Sequence, residues 1–445
     1  MTGLEIGLIS VLAIVALIYA GMHVGIALSL VSFVSVVLQK SSFGLATKLL
    51  TLAAVDGIAN QTFAVIPLFV LMGLIMSDAD VGRDSFEVGD FFLRRIRGGL
   101  GLATIGANAV FAAVTGVSIA SAAVFTKVAV PEMLRYGYNP RFAVGAVAGS
   151  SVLGMLIPPS ILLIIYGILT EQSIGQMFFA GIGPGLLLTA VYCIGIVGMA
   201  FLMPGYVYDL KNRFADLHVP EDSGRELTWT EVAIKMVPLL ALIFVVLGGI
   251  YGGVMTPTEA GAVGALGALV IAIARRRITL RSFWNTMLET GRITASVCFL
   301  IIAATMYSRS LALAGMPMDI AQAVNALDAQ FGMVLLIYII ALLLLGTILD
   351  SVSILLIMVP IFLPVVEAFG ADPVWFGILS VIGVEVGLLT PPLGLACFVV
   401  KGCLEDKRIT LVDVFLGALP FALMMVFVLI LISVWPHLVY INQWF

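Results

Sequence analysis

Charge is what this chain has least of. Only 11% of its 445 residues are Asp, Glu, Lys or Arg, against about 25% in an ordinary soluble domain. That scarcity excludes a soluble enzyme, a disordered chain and a nucleic-acid binder, which needs clustered surface Lys and Arg. Histidine is scarcer still: His23, His218 and His437 stand far apart, with no H-E-x-x-H among them. The four cysteines, Cys193, Cys298, Cys397 and Cys403, lie singly in apolar runs without a C-x-x-C pair. They read as small core residues, not as disulfide partners or metal ligands. No G-x-x-x-x-G-K-[ST] segment occurs, so the chain itself hydrolyses no ATP through a P-loop. With no hydrolase constellation and no cofactor fingerprint, the expectation is a chain that is not an enzyme and carries no cofactor.

Hydrophobicity is abundant instead, at 61% of residues and a mean hydropathy of +1.17. At roughly 20 apolar residues per crossing, the chain can hold about ten to twelve membrane helices. Apolar runs fall near 5–20, 24–38, 61–77, 99–130, 141–169, 176–203, 236–252, 256–274, 292–314, 331–366, 374–400 and 411–435. The first run lacks a basic flank and a small-residue cleavage site, so it reads as a retained span. Runs 99–130 and 331–366 are too long for one crossing and too short for two with a loop. Each is interrupted at its middle by small and polar residues. They read as re-entrant hairpins, which survive at membrane depth only where protein or a water-filled cavity covers the backbone.

The basic residues set the orientation. Segments 78–98, 127–141, 204–235, 275–292 and 401–410 hold nineteen of the 22 Lys and Arg. If both long runs are hairpins, all five segments share one side, and the positive-inside rule makes that side cytoplasmic. Loops 315–330 and 367–373 then face outward with Asp319, Asp328, Glu367 and Asp372, and both termini are external.

The two halves match at a constant offset of 233. Ser118 pairs with Ser351, Pro131 with Pro364, Pro140 with Pro373, Gly154 with Gly387, Pro158 with Pro391 and Pro159 with Pro392. Gly-x-x-x-Pro-Pro thus occurs twice, its first proline each time 18 residues after an Asn-Pro or Asp-Pro proline. Each half reads as two helices, a short amphipathic arm (44–60 or 278–291), a third helix, a hairpin and two more helices. Five crossings per half is an odd number, so the second half must be inverted relative to the first. The expected fold is an all-α polytopic membrane protein of two inverted repeats with re-entrant hairpins. Its parts are scaffold and arm 1–60, first transport half 61–203, cytoplasmic connector 204–235, scaffold and arm 236–291, and second transport half 292–445. Inverted repeats mark secondary transporters with a site near the bilayer midplane.

The chemistry would sit at the hairpin tips, Thr115–Ser121 and Gly346–Ser353, and at helix breaks ending in Pro158–Pro159 and Pro391–Pro392. Glycine permits the turns, and Ser and Thr supply oxygens. Each proline frees nearby carbonyls from their helical partners. Carbonyls, hydroxyls and a carboxylate make a hard-oxygen site suited to a small cation such as sodium, while half-helix N-termini favour an anion. Asp350 is the sharpest single residue, because a carboxylate at depth is costly; it reads either as a cation ligand or as a helix cap. Glu385 faces either a scaffold contact or a cavity. Lys127 reads as snorkelling to the cytoplasmic edge. Asn108 and Arg309 serve either substrate or packing. Thr256 and Glu259 fit a capping box.

Several segments together resemble the large membrane subunit of TRAP transporters, the tripartite ATP-independent periplasmic family. They are Ile66-Pro67-Leu68-Phe69-Val70-Leu71-Met72-Gly73, Gly116-Val117-Ser118-Ile119-Ala120-Ser121, Gly149-Ser150-Ser151 through Pro158-Pro159-Ser160, Thr256-Pro257-Thr258-Glu259-Ala260, and Gly387 through Pro392. The resemblance spans essentially the whole chain. It implies an elevator-type, sodium-coupled importer of small organic acids in a bacterial inner membrane. A periplasmic binding protein would deliver the carboxylate, and a separate four-helix membrane subunit would pack alongside. It implies sodium at Ser118, Ser150, Gly154, Asp350, Ser351, Gly387 and Thr390. Substrate would be bordered by Thr115, Gly116, Ser121, Ser151, Pro158, Pro159, Thr347, Pro391 and Pro392. A stand-alone sodium-coupled anion carrier of the same architecture is the competing reading. A non-transporting scaffold would explain the hydrophobicity but not the paired breaks.

Overall fold

The computed structural model describes residues 3–59, 61–209, 227–316, 319, 331–404 and 406–440. Expectations for most of the connector 204–235 and of the loop 315–330 lie outside them. Within the described residues the chain is helical, apart from one isolated pairing of Tyr138 with Tyr208. Eight helical segments there are long and apolar enough to cross a membrane by length and composition.

The first half runs α1 Gly3–Tyr19, α2 Val24–Lys40, the arm α3 Phe43–Ala59 and α4 Val65–Asp78. Pro67 lies in the first turn of α4, where its missing N–H costs nothing. Segment 78–98, expected as a basic loop, contains the helix α5 Val81–Leu93. It is amphipathic: Val81, Phe86 and Val88 are buried while Arg83 faces outward. The first long run is a helical hairpin, α6 Gly99–Thr115 and α7 Ser118–Arg135, which turns at Gly116 and Val117. Next comes the broken helix, α8 Pro140–Ser151, the single turn α9 Leu153–Leu156 and α10 Ile161–Leu169, then α11 Ile174–Leu202 and the short α12 Pro204–Val207.

The second half runs α13 Trp229–Tyr251, α14 Pro257–Ala274 and α15 Leu280–Ala314. A second hairpin follows, α16 Phe331–Gly346 and α17 Ser351–Ala368. The second broken helix is α18 Pro373–Gly387 and α19 Leu395–Cys403, and α20 Leu411–Val434 closes the chain. The expected separation of arm 278–291 from span 292–314 is corrected: both belong to α15, one helix of 35 residues. Thr279 caps its start, with the Ser282 amide donating to Thr279 Oγ1 at 3.1 Å. No proline interrupts the helix before Gly315 ends it at φ +76°.

The capping box at α14 forms as its sequence expects. The Thr256 amide donates to Glu259 Oε2 at 2.8 Å, and the Glu259 amide to Thr256 Oγ1 at 3.3 Å. Arg309 is a packing residue here, paired with Asp56 of the arm α3. The basic segments also pair with one another. Asp84 on α5 meets Lys235 at 3.1 Å and Arg275 at the end of α14. Arg275 Nη2 donates to the Lys235 carbonyl at 2.7 Å, and Arg277 pairs with Asp80. Arg141 pairs with Asp413 at 2.8 Å.

Among the eight spans the broken helix Pro140–Leu169 is the most enclosed by protein and Trp229–Tyr251 the least. Glycine lets the core helices close. A Cβ at Gly145 on α8 would stand 2.0 Å from the Gly417 carbonyl oxygen on α20, and one at Gly417 1.9 Å from the Arg141 carbonyl oxygen. These are backbone contacts that no rotamer relieves. Gly145→Ala or Gly417→Ala should therefore cost about 1–3 kcal/mol, the usual range for overpacking, and lower the melting temperature of the purified protein. Gly106, with open space around it, is the control: Gly106→Ala should leave the melting temperature unchanged or raise it.

Candidate functional site

Each hairpin tip is seated against a proline break of its own half. At the first, Gly116 ends α6 at φ +63°, and a Cβ there would stand 2.5 Å from the Pro159 carbonyl oxygen. The Ile161 amide, freed by the break, donates to the Gly116 carbonyl at 3.3 Å. Gly154 lies under the tip, where a Cβ would be 3.0 Å from the Val117 carbonyl carbon. Gly73 on α4 leaves room for the backbone of Thr115 on its other side, where a Cβ would be 2.7 Å from the Thr115 carbonyl oxygen. At the second tip, the Leu393 amide donates to the Thr347 carbonyl at 3.1 Å. Gly346 and Gly387 meet backbone to backbone, and a Cβ on Gly387 would stand 2.5 Å from the Gly346 Cα. The Pro158–Pro159 and Pro391–Pro392 bonds are both cis.

The two breaks differ in surroundings. Pro158 and Pro159 are buried, whereas Pro391 and Pro392 are exposed. Thr115, Ser118, Ser121, Ser150, Ser151 and Ser351 are all buried. Three of them spend their hydroxyls locally: Thr115 on the Phe111 carbonyl at 2.9 Å, Ser151 on Ala148 at 2.8 Å, and Ser150 on Val147 at 3.3 Å. Thr390 and Thr347 do likewise, on Val386 at 2.9 Å and Leu344 at 2.8 Å.

Asn108, left open between substrate and packing, is fully buried and joins two expected site residues. It donates through Nδ2 to Ser150 Oγ at 2.6 Å and accepts from Ser121 Oγ at 2.8 Å. One amide thereby links the first hairpin to the broken helix beside it. Asp350 caps α17: Oδ2 accepts from the Ser353 amide at 3.2 Å, and Oδ1 from the Ser353 hydroxyl. The carboxyl that meets serines of the hairpin tips is Glu385 instead. It is fully buried on α18 and accepts from Ser351 Oγ at 2.8 Å. Sequence reasoning left Glu385 open between a scaffold contact and a cavity, and the internal repeat adds nothing, since at the 233-residue offset its counterpart is Val152. Its signal was a lone acid two residues before the second Gly-x-x-x-Pro-Pro.

The set is rich in hydroxyl, carbonyl and carboxylate oxygens, the donors that hard cations prefer. The tips also carry the N-termini of α7 and α17, which favour negative charge. A separate cleft of about 780 Å³ is lined by Asp80, Arg83, Glu87, Asp90, Lys127 and Lys235, among others, and no hairpin-tip residue lines it. Lys127 reaches this cleft exposed, in keeping with an edge position. Burial pushes the Asp90 carboxyl above the usual carboxylate range, against the opposing pull of Arg94.

Comparison with known proteins places these features in company. Residues 11–438 match the family model described as the DctM component of the tripartite ATP-independent periplasmic transporter. The chain is 35% identical over 378 residues to the C4-dicarboxylate TRAP transporter large permease protein of Pseudomonas aeruginosa, covering 85% of each. It is 32% identical over 429 residues to the sialic acid TRAP transporter large permease protein of Vibrio cholerae, covering 96% of each. An ectoine/5-hydroxyectoine large permease protein of Ruegeria pomeroyi is 32% identical over 386 residues, with 86% of each covered. Among solved structures, the YdaH transporter of Alcanivorax borkumensis superposes with a TM-score of 0.57 at 15% identity, over 88% of this chain and 89% of that one. At that identity the likeness is one of fold alone.

Two substitutions test the local geometry. Asn108→Ala strands the buried Ser121 hydroxyl, so stability should fall by about 1–3 kcal/mol, read as a lower melting temperature. Asp350→Asn should keep the cap of α17, since Asn caps as well as Asp, while Asp350→Ala should cost about 1 kcal/mol. Equal melting temperatures for Asp350→Ala and wild type would contradict the capping geometry.

Proposed function

The chain belongs to the tripartite ATP-independent periplasmic transporters as their DctM component, and from that membership we propose that it imports a small organic acid together with sodium across a bacterial inner membrane. It is a large permease subunit, a multi-pass membrane protein and not an enzyme. The observation that carries the proposal is the seating of each hairpin tip on a proline break, with amides of Ile161 and Leu393 reaching back to the tips. Backbone freed from helical pairing at both places, beside buried hydroxyls, supplies sites for an ion and its co-transported anion.

Sodium would be held around Ser118, Ser150 and Gly154 at the first tip, and around Ser351, Gly387 and Thr390 at the second. Asp350 would serve by fixing the start of α17. Substrate would lie along Thr115, Gly116, Ser121, Ser151, Pro158 and Pro159, and along Thr347, Pro391 and Pro392. The relatives' named substrates include a C4-dicarboxylate, sialic acid and ectoine. Each carries a carboxylate, which supports the same class here. A four-helix membrane subunit and a periplasmic binding protein complete the proposed system, because the family is tripartite.

The inverted arrangement and elevator motion belong to the same reading. Ion pairs of Asp84 with Arg275 and Asp80 with Arg277 hold segments 78–98 and 275–292 together. Shared placement of these basic segments is what the positive-inside rule requires of an inverted repeat.

Proteoliposomes test the system. Uptake of radiolabelled carboxylate should require a sodium gradient, the small subunit and loaded binding protein together. Robust sodium-driven uptake by this chain alone would favour the stand-alone carrier. For topology, Arg281→Cys in a chain otherwise freed of cysteine should resist an impermeant thiol reagent in intact cells. Labelling from outside would overturn the inverted arrangement.

A further inference from the structure

A second cleft, of about 530 Å³, adjoins the charged one at Asp90 and Arg94 and is built on the turn between α5 and α6. Arg94, Arg95 and Arg97 line it, and Asp90 is the one carboxyl among its described lining residues. The turn is pinned from two sides. Gly98 ends it at φ +77°, and a Cβ there would stand 3.0 Å from Ile196 Cγ2 of α11. Opposite, the Gly98 amide donates to Tyr208 Oη at 2.7 Å and the Leu100 amide to Tyr138 Oη at 3.3 Å. A phenol oxygen that accepts keeps its own proton to give. Both phenols line the cleft, so the pair retains a donor there.

The charge in this cleft is unbalanced. Arg94 stands beside Asp90 and offsets its carboxyl. The other acids of the segment, Asp80, Asp84 and Glu87, are taken by Arg277, Arg275 and Lys235. Arg95 and Arg97 are exposed and form no ion pair among the described residues. Arg97 lies instead over the ring of Phe201, 5.2 Å from its centroid. Phe201 and Leu202 end the apolar span Ile174–Leu202 and are 59% and 84% exposed. Ile194, about two turns back on the face of Phe201, is exposed as well. Surplus guanidinium groups therefore begin where a bare apolar strip stops. A soluble anion or an acidic peptide would meet the arginines and leave the strip uncovered. A ligand with an anionic head and an apolar tail meets both. Guanidinium groups grip phosphate oxygens in pairs, and basic pockets at a membrane edge are where anionic headgroups settle.

We propose that this cleft binds the phosphodiester headgroup of an anionic phospholipid of the phosphatidylglycerol class. Arg95 and Arg97 hold the phosphate, the Tyr138–Tyr208 pair donates to it, and an acyl chain lies along the Phe201 and Ile194 face of α11. The site stands apart from sodium coupling and from the transported substrate. Its headgroup bridges the start of α6 and the end of α11, so the lipid ties the first helix of the hairpin to the span beside it.

The purified full-length chain in neutral detergent micelles tests this without any transport assay. Melting temperature is followed as dioleoylphosphatidylglycerol is titrated into the micelles, since a ligand of the folded state raises it. The rise should saturate, and dioleoylphosphatidylcholine should not reproduce it. Glycerol 3-phosphate, the same phosphate without chains, should give little at equal concentration; an equal rise would assign the cleft to a free phosphate and overturn the lipid reading. Arg95→Gln and Arg97→Gln should each raise the half-saturating mole fraction of phosphatidylglycerol about fivefold, the scale of one basic group at an anionic surface. Both side chains are exposed, so both variants should fold, and their lipid-free melting temperatures check it. A merely structural Arg97 would lower that lipid-free value and leave the titration midpoint in place. Arg281→Gln, an exposed arginine outside the cleft, is the control and should not shift the midpoint. Midpoints unmoved in both cleft variants, or moved equally by Arg281→Gln, overturn the proposal.

Discussion

Inside a hydrocarbon layer an unpaired peptide group has no water to turn to. That constraint governs the molecule. Most of the described backbone is satisfied within helices; the Pro158–Pro159 break is buried among other helices, whereas Pro391 and Pro392 are exposed. The Pro158–Pro159 break is bounded by the Gly116 tip and by Gly181 on α11, where a Cβ would stand 2.5 Å from the Pro159 carbonyl oxygen and 3.2 Å from the Pro158 ring respectively. A break of this kind is tolerable only because a glycine-bearing partner comes close enough to take its orphan amides. The close helix crossings at Gly145–Gly417 and Gly346–Gly387 follow from the same requirement, since they hold the broken helices among their neighbours.

Much of this architecture was legible in the sequence, because hydrophobic runs and proline positions are local signals. The hairpin turns at Gly116 and after Gly346, both proline breaks and the capping box at Thr256 fall where their residues place them. Two errors have a common origin. Segment 78–98 is basic, and its charge concealed the apolar face of Val81, Phe86 and Val88 that makes it the helix α5. Segment 278–291 is amphipathic and 292–314 apolar, and the change of character was taken for a break. A helix does not end where its environment changes; it ends where capping or proline ends it.

The candidate site was legible only where the repeat wrote it twice. Ser118 and Ser351 stand out by their offset, and the structure brings both toward Glu385. Asn108 and Glu385 have apolar counterparts, Ala341 and Val152, so no internal match could single them out. Their partners, Ser121, Ser150 and Ser351, lie between 13 and 42 residues away along the chain. Such bridges depend on which helix faces which, a tertiary fact that periodicity does not carry.

The continuous helix α15 has a mechanical meaning. At 35 residues it is about 50 Å long, well beyond the roughly 30 Å hydrocarbon thickness. In the first half the equivalent stretch is jointed: α3 stops at Ala59 and α4 begins at Val65 after the tight turn Gln61–Ala64. Two halves that share a pattern of residues are thus unequal in stiffness. One half thus has a joint where the other has an unbroken rod, and the rod's Arg309 is ion-paired with Asp56 on the arm of the first half.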